Sequence, residues 1–588
     1  MKKLDIFYIV VSLITMALYS CSSDTTNIID DDNDQEDTTS IITSEDFYNS
    51  FDDTEGTDNY IENGATHEDK ANDYSYNESS VIDITLNTNA IISSSENVTI
   101  NGTLATITRA GTYRISGTLD DGQIIVDSDD EETIKIIFDG ININNSTNSP
   151  FAIMGAEKTV ILLSDNSQNY LSDTSNYIFE EGEDEPDATL FSKDNLTIYG
   201  TGTLTVSGNY NEAIKSKDGL VIDGPTINIT SVDDGIQGKD YLVIRNGTFT
   251  IDVDGDGLKS NNDEDEDLGY IQIDDGDFTI VAEADGLQAE TDLILNGGDF
   301  DIKTGGGSSA SLGEDDSAKA IKGNTSVVID TGSTITIDAA DDGIHSNENI
   351  IINGGTFEIA SGDDAIHSDY DLTIKNGDIY ITKSVEGIEG ATITIDGGHI
   401  EVVSSDDGIN GAGDESGSNY YLYINGGYTY VNASGDGIDV NGYIEMTDGA
   451  VIVNGPTGQN NGAIDYDRTF IISGGFLLAV GSSNMVQAPS SSSTQKSILA
   501  KFNQTLQANT ILHLEKADGT NLFTFAPAKN YQSVVFSSAS IASGSSYKLY
   551  TGGSCNGNST NGLYTDGTYT YGALTSSFTV SNTITNVN

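Results

Sequence analysis

"DVDGDGLKSNND", residues 252–263, reads as a calcium loop: Asp252, Asp254 and Asp256 alternate, Gly257 follows, and Asp263 stands where an EF-hand carries its last carboxylate. An EF-hand needs a helix on each side. Here "GTFTIDV" precedes the stretch and "YIQIDDGDFTIV" follows it, both alternating apolar and polar residues with period two. The stretch is therefore a turn between strands, and it decides the fold only if it recurs.

It recurs as "DDGIQ" at Asp234, "DGDGLK" at Asp256, "ADGLQ" at Asp285, "DDGIH" at Asp342, "DDAIH" at Asp364, "VEGIE" at Glu386, "DDGIN" at Asp407 and "GDGID" at Asp436. Further copies, in which the acid signal is weaker, are "NEAIK" at Glu212, "SAKAIK" at Lys319 and "NGAID" near Gly462. Steps from Glu212 run 22, 22, 29, 34, 23, 22, 22, 21 and 29 residues, a period of about 22 with insertions. Between the copies lie turn-then-strand marks such as "NGGDFDI", "NGGTFEI" and "DGGHIEV". A unit this short cannot bury its own apolar face, and stacked units can. The expectation is an all-β right-handed parallel β-helix solenoid with coils of about 22 residues. Each Ile or Leu of "DGI" would stack inward on the next.

Stacking brings equivalent carboxylates to the strand spacing of roughly 4.8 Å. At an effective dielectric near 20 each neighbouring pair then repels by roughly 3 to 4 kcal/mol. Several such rungs would consume a domain's margin of about 5 to 15 kcal/mol. Lysines follow the ladder only at Lys215, Lys259 and Lys322, and protonating a whole row requires large upward pKa shifts. Ca²⁺, a hard cation that takes six to eight oxygens, is the expected counter-charge. Asp252 belongs to the opening loop and Asp285 to the ladder, so both join the expected ligands. A single Asp-Gly is also simply a turn dipeptide whose acid caps backbone N–H groups. The doubled acids at 233, 341, 363 and 406, recurring in phase, argue for more than turns.

With 93 acidic and 24 basic side chains, the net charge of −69 makes nucleic acid and anionic membrane surfaces poor partners, since each would be repelled. "MKKLDIFYIVVSLITMALYSC" has a basic start, an apolar run and a lipobox-like "LYSC". Residues 1–20 are expected to be a cleaved export signal, leaving Cys21 lipidated as the membrane anchor. Cys555 then has no intrachain partner. Residues 21–80 read as an acidic, disordered tether, 81–480 as the repeat domain, and 481–588 as a small β-rich unit capping its open end. The protein is expected to be an exported lipoprotein, monomeric, at the outer membrane or cell surface.

Insertions at 261–269 and 411–419 follow the ladder in one phase, and 305–316 precedes its copy. After the second comes "YYLYINGGYTYV", in which Tyr421 and Tyr423 face away from Leu422 and Ile424. Such rings can stack on sugars. A lyase would need a base near calcium, and Lys215, Lys239 and Lys259 are the weak candidates. His345, His367 and His399 read as satisfied surface histidines.

"AGTYRISGTLDDGQIIVD", "LFSKDNLTIYGTGTLTVSGNYNEAIKSKDGL", "KTGGGSSASLGEDDSAKAIKG", the 420–467 segment and "MVQAPSSSSTQKSI" resemble a family of bacterial cell-surface carbohydrate-binding proteins, pectate-lyase-like in fold. The resemblance runs from about residue 82 to the C-terminus. It implies a calcium-loaded β-helix that binds cellulose or acidic, uronate-containing polysaccharide without established catalysis. By position it implies calcium at Asp233, Asp234, Asp254, Asp256, Asp341, Asp342, Asp363, Asp364, Asp406, Asp407 and Asp436. The chain departs from the pattern at Lys319, Glu386 and Gly462. The alternatives to a binder are a calcium-dependent polyuronate lyase and a structural adhesin or spacer whose calcium is purely structural.

Overall fold

The computed structural model describes residues 73–179, 181–313, 316–413 and 419–587. The expected export signal, Cys21, the tether up to residue 72 and part of the 411–419 insertion lie outside the described residues. Among the described residues the only helical element is a 3-10 turn at Glu78–Ser80, and no helix is long and apolar enough to cross a membrane.

The repeat is in register. Each "DGI"-type copy opens a short strand, and these strands pair in parallel from one copy to the next: Ile214↔Ile236↔Leu258↔Leu287↔Ile321↔Ile344↔Ile366↔Ile388↔Ile409↔Ile438. All ten side chains are fully buried. Burying each contributes roughly 1.5 to 3 kcal/mol, so the column is a main source of stability. A second inward column stacks Phe249, Phe278 and Phe300 with centroids 4.7 Å apart and planes within 6° of parallel. The Phe of each "DFTI"-type mark is therefore a core residue. Offset stacking adds to what burial alone supplies.

The expected right-handed parallel β-helix solenoid of about 22-residue coils is corrected by the sheet topology. The pairing closes on itself through six parallel strands: Ile134–Asn144, Thr159–Leu163, Leu196–Gly200, Gly219–Ser231, Thr203–Gly208 and Gln168–Ser172, which returns to Ile134–Asn144. Many further strands are hydrogen-bonded outside this closed ring, and 43 described strands form one connected sheet. The cause lies in the turns. Within Gly219–Ser231 the chain bends at "IDGPT", with Gly224 at φ +88°, and pairing resumes after a register shift. One long strand thus serves two neighbours, and faces that the periodicity treats as separate are fused.

Residues 73–80, placed by the sequence in the tether, pack against the sheet. Asp73 is buried and pairs with Lys158 at 3.2 Å. The Tyr74 ring lies edge-on to Tyr199 at 5.0 Å, and its hydroxyl accepts a hydrogen bond from Arg245 Nη1. At the other end Phe476–Gly481 pairs antiparallel with Tyr531–Ser538, which covers that strand's free edge. Beyond this, a six-stranded sheet built from Leu512–Lys516, Asn521–Phe525, Ser546–Cys555, Ser559–Thr560, Leu563–Tyr564 and Tyr569–Thr579 shares a core with outward residues of the main sheet, Tyr428, Tyr430, Ile452 and Leu478. The C-terminal unit therefore covers a lateral face as well as an edge. Cys555 is a free thiol.

Candidate functional site

Two residues before each buried Ile stands the acid, and its first task is structural. One carboxylate oxygen accepts the amide N–H of the equivalent residue on the next rung. Asp234 takes Asp256 N and Asp256 takes Asp285 N, each at 2.9 Å; Asp285 takes Lys319 N at 2.8 Å. Asp342 takes Asp364 N at 3.1 Å, Asp364 takes Glu386 N at 3.2 Å, Asp407 takes Asp436 N at 2.6 Å, and Asp436 takes Gly462 N. The residue between acid and Ile is Gly or Ala because a larger side chain would meet the next rung's carbonyl. A Cβ on Gly408, for example, would lie 2.5 Å from Gly437 O.

The second carboxylate oxygen turns toward a neighbouring column, formed by the residue just after each Ile. In register this column reads Lys215, Gln237, Lys259, Gln288, Lys322, His345, His367, Glu389, Asn410, Asp439 and Asp465. Its chemistry changes along the molecule. On the early rungs lysine answers the acids: Lys215 meets Asp187 and Glu212 at 2.8 Å, Lys259 meets Asp234 and Asp256 at 2.9 and 2.8 Å, and Lys322 approaches Asp285 at 3.5 Å. Lys319, standing in the acid's own place, binds Asp341 and Asp342 at 2.9 and 2.8 Å. In the middle, His345 and His367 meet Asp342 and Asp364 at 2.8 and 2.9 Å.

On the late rungs no base enters either column: Glu386, Glu389, Asp407, Asn410, Asp436, Asp439 and Asp465 follow one another. Ligand oxygens of Asp407, Asp436 and Asp439 lie within 4.8 Å of one another. Burial and mutual repulsion push Asp407 up to about 7, Asp436 up to about 6 and Asp439 up to about 7. An all-oxygen, electron-rich set that lacks counter-charge fits a hard divalent cation.

Of the residues the sequence singles out, Asp234, Asp256, Asp285, Asp342, Asp364, Asp407 and Asp436 stand in the acid column. Asp341, Asp342 and Asp363 also converge, with burial raising Asp363 to about 6, although Lys319 already serves the first two. Asp233 and Asp406 flank the column one residue earlier. Asp252 and Asp254, which made the opening loop resemble an EF-hand, are exposed, and only Asp256 turns into the ladder. Asp252 lies on the outer face of the strand that ends at Val253, and Asp254 in the bend that follows it. Reading the ladder by its acid alone missed Asp439 and Glu389. The signal was present one residue beyond each Ile, where "IK", "LK" and "IH" give way to "IE", "IN" and "ID".

Tyr421 and Tyr423 are half-buried on the outer face while Leu422 and Ile424 point inward. Their rings lie parallel at 5.8 Å, and Tyr443, which sequence reading passed over, extends the row from the next rung at 5.3 Å from Tyr421. Tyr421 and Tyr423 follow Asn410 on its own rung, and Tyr443 follows Asp439 on the next.

A family model described as carbohydrate-binding domain-containing protein matches residues 101–365 and 362–522. The chain belongs to this family. A carbohydrate-binding domain-containing protein of Acetivibrio thermocellus is 42% identical over 124 residues, 21% of this chain and 43% of the relative, so the chain spans less than half of that relative's length. Among solved structures, a polysaccharide lyase-like protein from C. thermocellum, in a gadolinium derivative, is similar at 32% identity with a TM-score of 0.38, covering 38% of this chain and 92% of that one.

In this carbohydrate-binding domain protein two of the lysines that could serve as a lyase base, Lys215 and Lys259, are held as cations. Burial alone would lower Lys215 and Lys259, but the carboxylates around each outweigh it and raise both. A general base must be able to give up its proton near neutral pH. Lys239 stands off the column, on the turn beside Asp218.

Proposed function

We propose that the protein is a non-catalytic, calcium-dependent binder of polysaccharide, either acidic and uronate-containing or cellulose-like, tethered through a lipid on Cys21 at the outer membrane or cell surface. One observation carries this reading: the base-free acids and the tyrosine cluster belong to the same two rungs, Asp407, Asp436 and Asp439 with Tyr421, Tyr423 and Tyr443. Asp407, Asp436 and Asp439 would hold the ion. Calcium bound there supplies positive charge to a molecule whose net charge of −69 otherwise repels a polyuronate. The parallel tyrosine rings offer flat apolar faces to sugar rings, which do not depend on charge. On the early rungs lysine already provides the counter-charge, so the calcium proposal narrows to the late ones.

The test is a glycan array probed with the full chain, with and without a calcium chelator, alongside an assay for unsaturated uronate products. The expected outcome is binding that the chelator abolishes, no product, and roughly tenfold weaker binding in Tyr421→Ala and Tyr443→Ala, equivalent to about 1.4 kcal/mol. Unsaturated products would replace the reading with a lyase. Binding indifferent to chelator would remove calcium from it, and no binding to any glycan would leave a structural spacer.

A further inference from the structure

Between the lysine-served and base-free parts of the column lies a chemically different step. His345 and His367 occupy equivalent positions on adjacent rungs, with ring centroids 5.0 Å apart. Ligand atoms of Asp342, His345 and His367 all lie within 4.8 Å of one another, and the same holds for Asp364, His367 and Glu389. Asp342 and Asp364 are buried, with 3% and 6% of their surface exposed, so neither can turn out to water.

The two imidazoles are oriented alike. Each Nδ1 faces a ladder carboxylate, His345 toward Asp342 Oδ2 at 2.8 Å and His367 toward Asp364 Oδ2 at 2.9 Å. Each Nε2 faces an oxygen two residues on, Asn347 Oδ1 at 2.9 Å and Asp369 Oδ1 at 3.2 Å. Neither oxygen can donate when Asp369 is ionised and Asn347 presents its carbonyl, so each Nε2 carries a proton. In a neutral ring that assignment leaves the Nδ1 lone pair aimed at a carboxylate. Two arrangements relieve the clash: a second proton on the ring, or a cation shared by Nδ1 and the carboxylates. The second is the arrangement of metal-ligating histidine, whose remote nitrogen is held by an outer hydrogen bond that fixes tautomer and ring plane.

We infer that His345 Nδ1, His367 Nδ1 and Asp342 form a site for a borderline transition-metal dication of the zinc class, with Asp364 as the fourth side chain in reach. Imidazole nitrogen selects such ions, whereas calcium takes oxygen. Lys319 Nζ lies 2.8 Å from Asp342 Oδ2, the oxygen that also faces His345 Nδ1, so an ion taking that oxygen displaces the ammonium onto Asp341, which it already meets at 2.9 Å. The column thus runs from ammonium through imidazole to carboxylate, and the cation each part accepts changes from lysine to a zinc-class ion to calcium. This inference does not rest on calcium binding at Asp407, Asp436 and Asp439.

Zn²⁺ itself is the probe, on full chain purified without a histidine tag and stripped of metal. Zn²⁺ binding by calorimetry at neutral pH, followed by metal counting, is expected to show about one tightly held zinc per chain that millimolar Ca²⁺ does not displace. His345→Gln and His367→Gln should each weaken Zn²⁺ at least about tenfold while leaving Ca²⁺ binding unchanged. Asp436→Asn should weaken Ca²⁺ and spare Zn²⁺, which separates failure here from failure of the calcium reading. Should the histidine variants not fold, ¹⁵N chemical shifts of wild-type imidazoles decide: both Nδ1 resonances must move on adding Zn²⁺. Unmoved resonances, Zn²⁺ affinity unaffected in both histidine variants, or equal displacement by Ca²⁺ would overturn the site.

Discussion

Lys259 shows how one side chain decides what its rung needs. It lies 2.9 Å from Asp234 and 2.8 Å from Asp256, whose side chains are only 5% and 11% exposed. Replacing it by methionine keeps the apolar stem and leaves two buried carboxylates facing each other. The expected loss in Lys259→Met is roughly 3 to 5 kcal/mol. The loss should be larger at pH 8 than at pH 5, because burial already raises the Asp234 carboxyl and acid protonates it, which relieves the repulsion. Urea unfolding at the two pH values measures it, and a loss below about 1 kcal/mol at both would show that the pair does not matter. Lys303 is the contrast. It meets Asp338 at 2.7 Å, but both are nearly half exposed, so Lys303→Met should change stability by no more than about 0.5 kcal/mol.

The acid-Gly-Ile turn works because its middle residue has almost no side chain. A Cβ on Gly408 would lie 2.2 Å from Val431 Cγ1 and 2.5 Å from Gly437 O. Ala213, Ala320, Ala365 and Ala463 hold equivalent places, so other rungs accept one methyl group where the rung of Gly408 has no room for it. Gly408→Val should therefore destabilise by roughly 1 to 3 kcal/mol. It should also weaken Ca²⁺ binding, since the carboxylate of Asp407 is carried by the residue it displaces. Calorimetric unfolding with and without Ca²⁺ reads both effects, and a variant with wild-type stability would show that the turn has slack. The small residue, the acid and the Ile were all visible in the repeat. Which base meets which acid was not visible, because Lys259 and Asp234 are 25 residues apart and meet only through the pairing of Ile236 with Leu258.

Across the molecule, uncompensated charge should make stability depend on pH and, if the proposed late-rung site holds calcium, on that ion as well. Without metal, burial holds Asp407 and Asp439 near 7 and Asp436 near 6 when folded, against 3.8 for an ordinary aspartate. Between these values the native state binds more protons than the unfolded chain, so stability falls as pH rises from about 4 to about 7. Chelator-treated protein should melt at a higher temperature at pH 5 than at pH 8. Added Ca²⁺ should raise the melting temperature more at pH 8, where the carboxylates are ionised and able to bind it. Scanning calorimetry over that range is the check. A metal-free protein most stable at pH 8, or a calcium effect that shrinks with rising pH, would contradict this assignment of the late rungs.

The amino-acid sequence by itself determined the strand class, the period and the residues that face inward. An alternating pattern admits only one register once one face must be buried, and slipping by a single residue would expose every Ile. It also carried the acid column and, one residue beyond each Ile, the change from lysine to histidine to carboxylate. Tertiary structure alone decided how the sheet closes and where charge goes unanswered. Gly224 and its counterparts can either end a strand or bend it, and only the partners on both sides of the bend settle which. Likewise Asp407 and Asp436 read like the acids of every other rung until the pairing sets Asn410 and Asp439, and no base, in the column next to theirs.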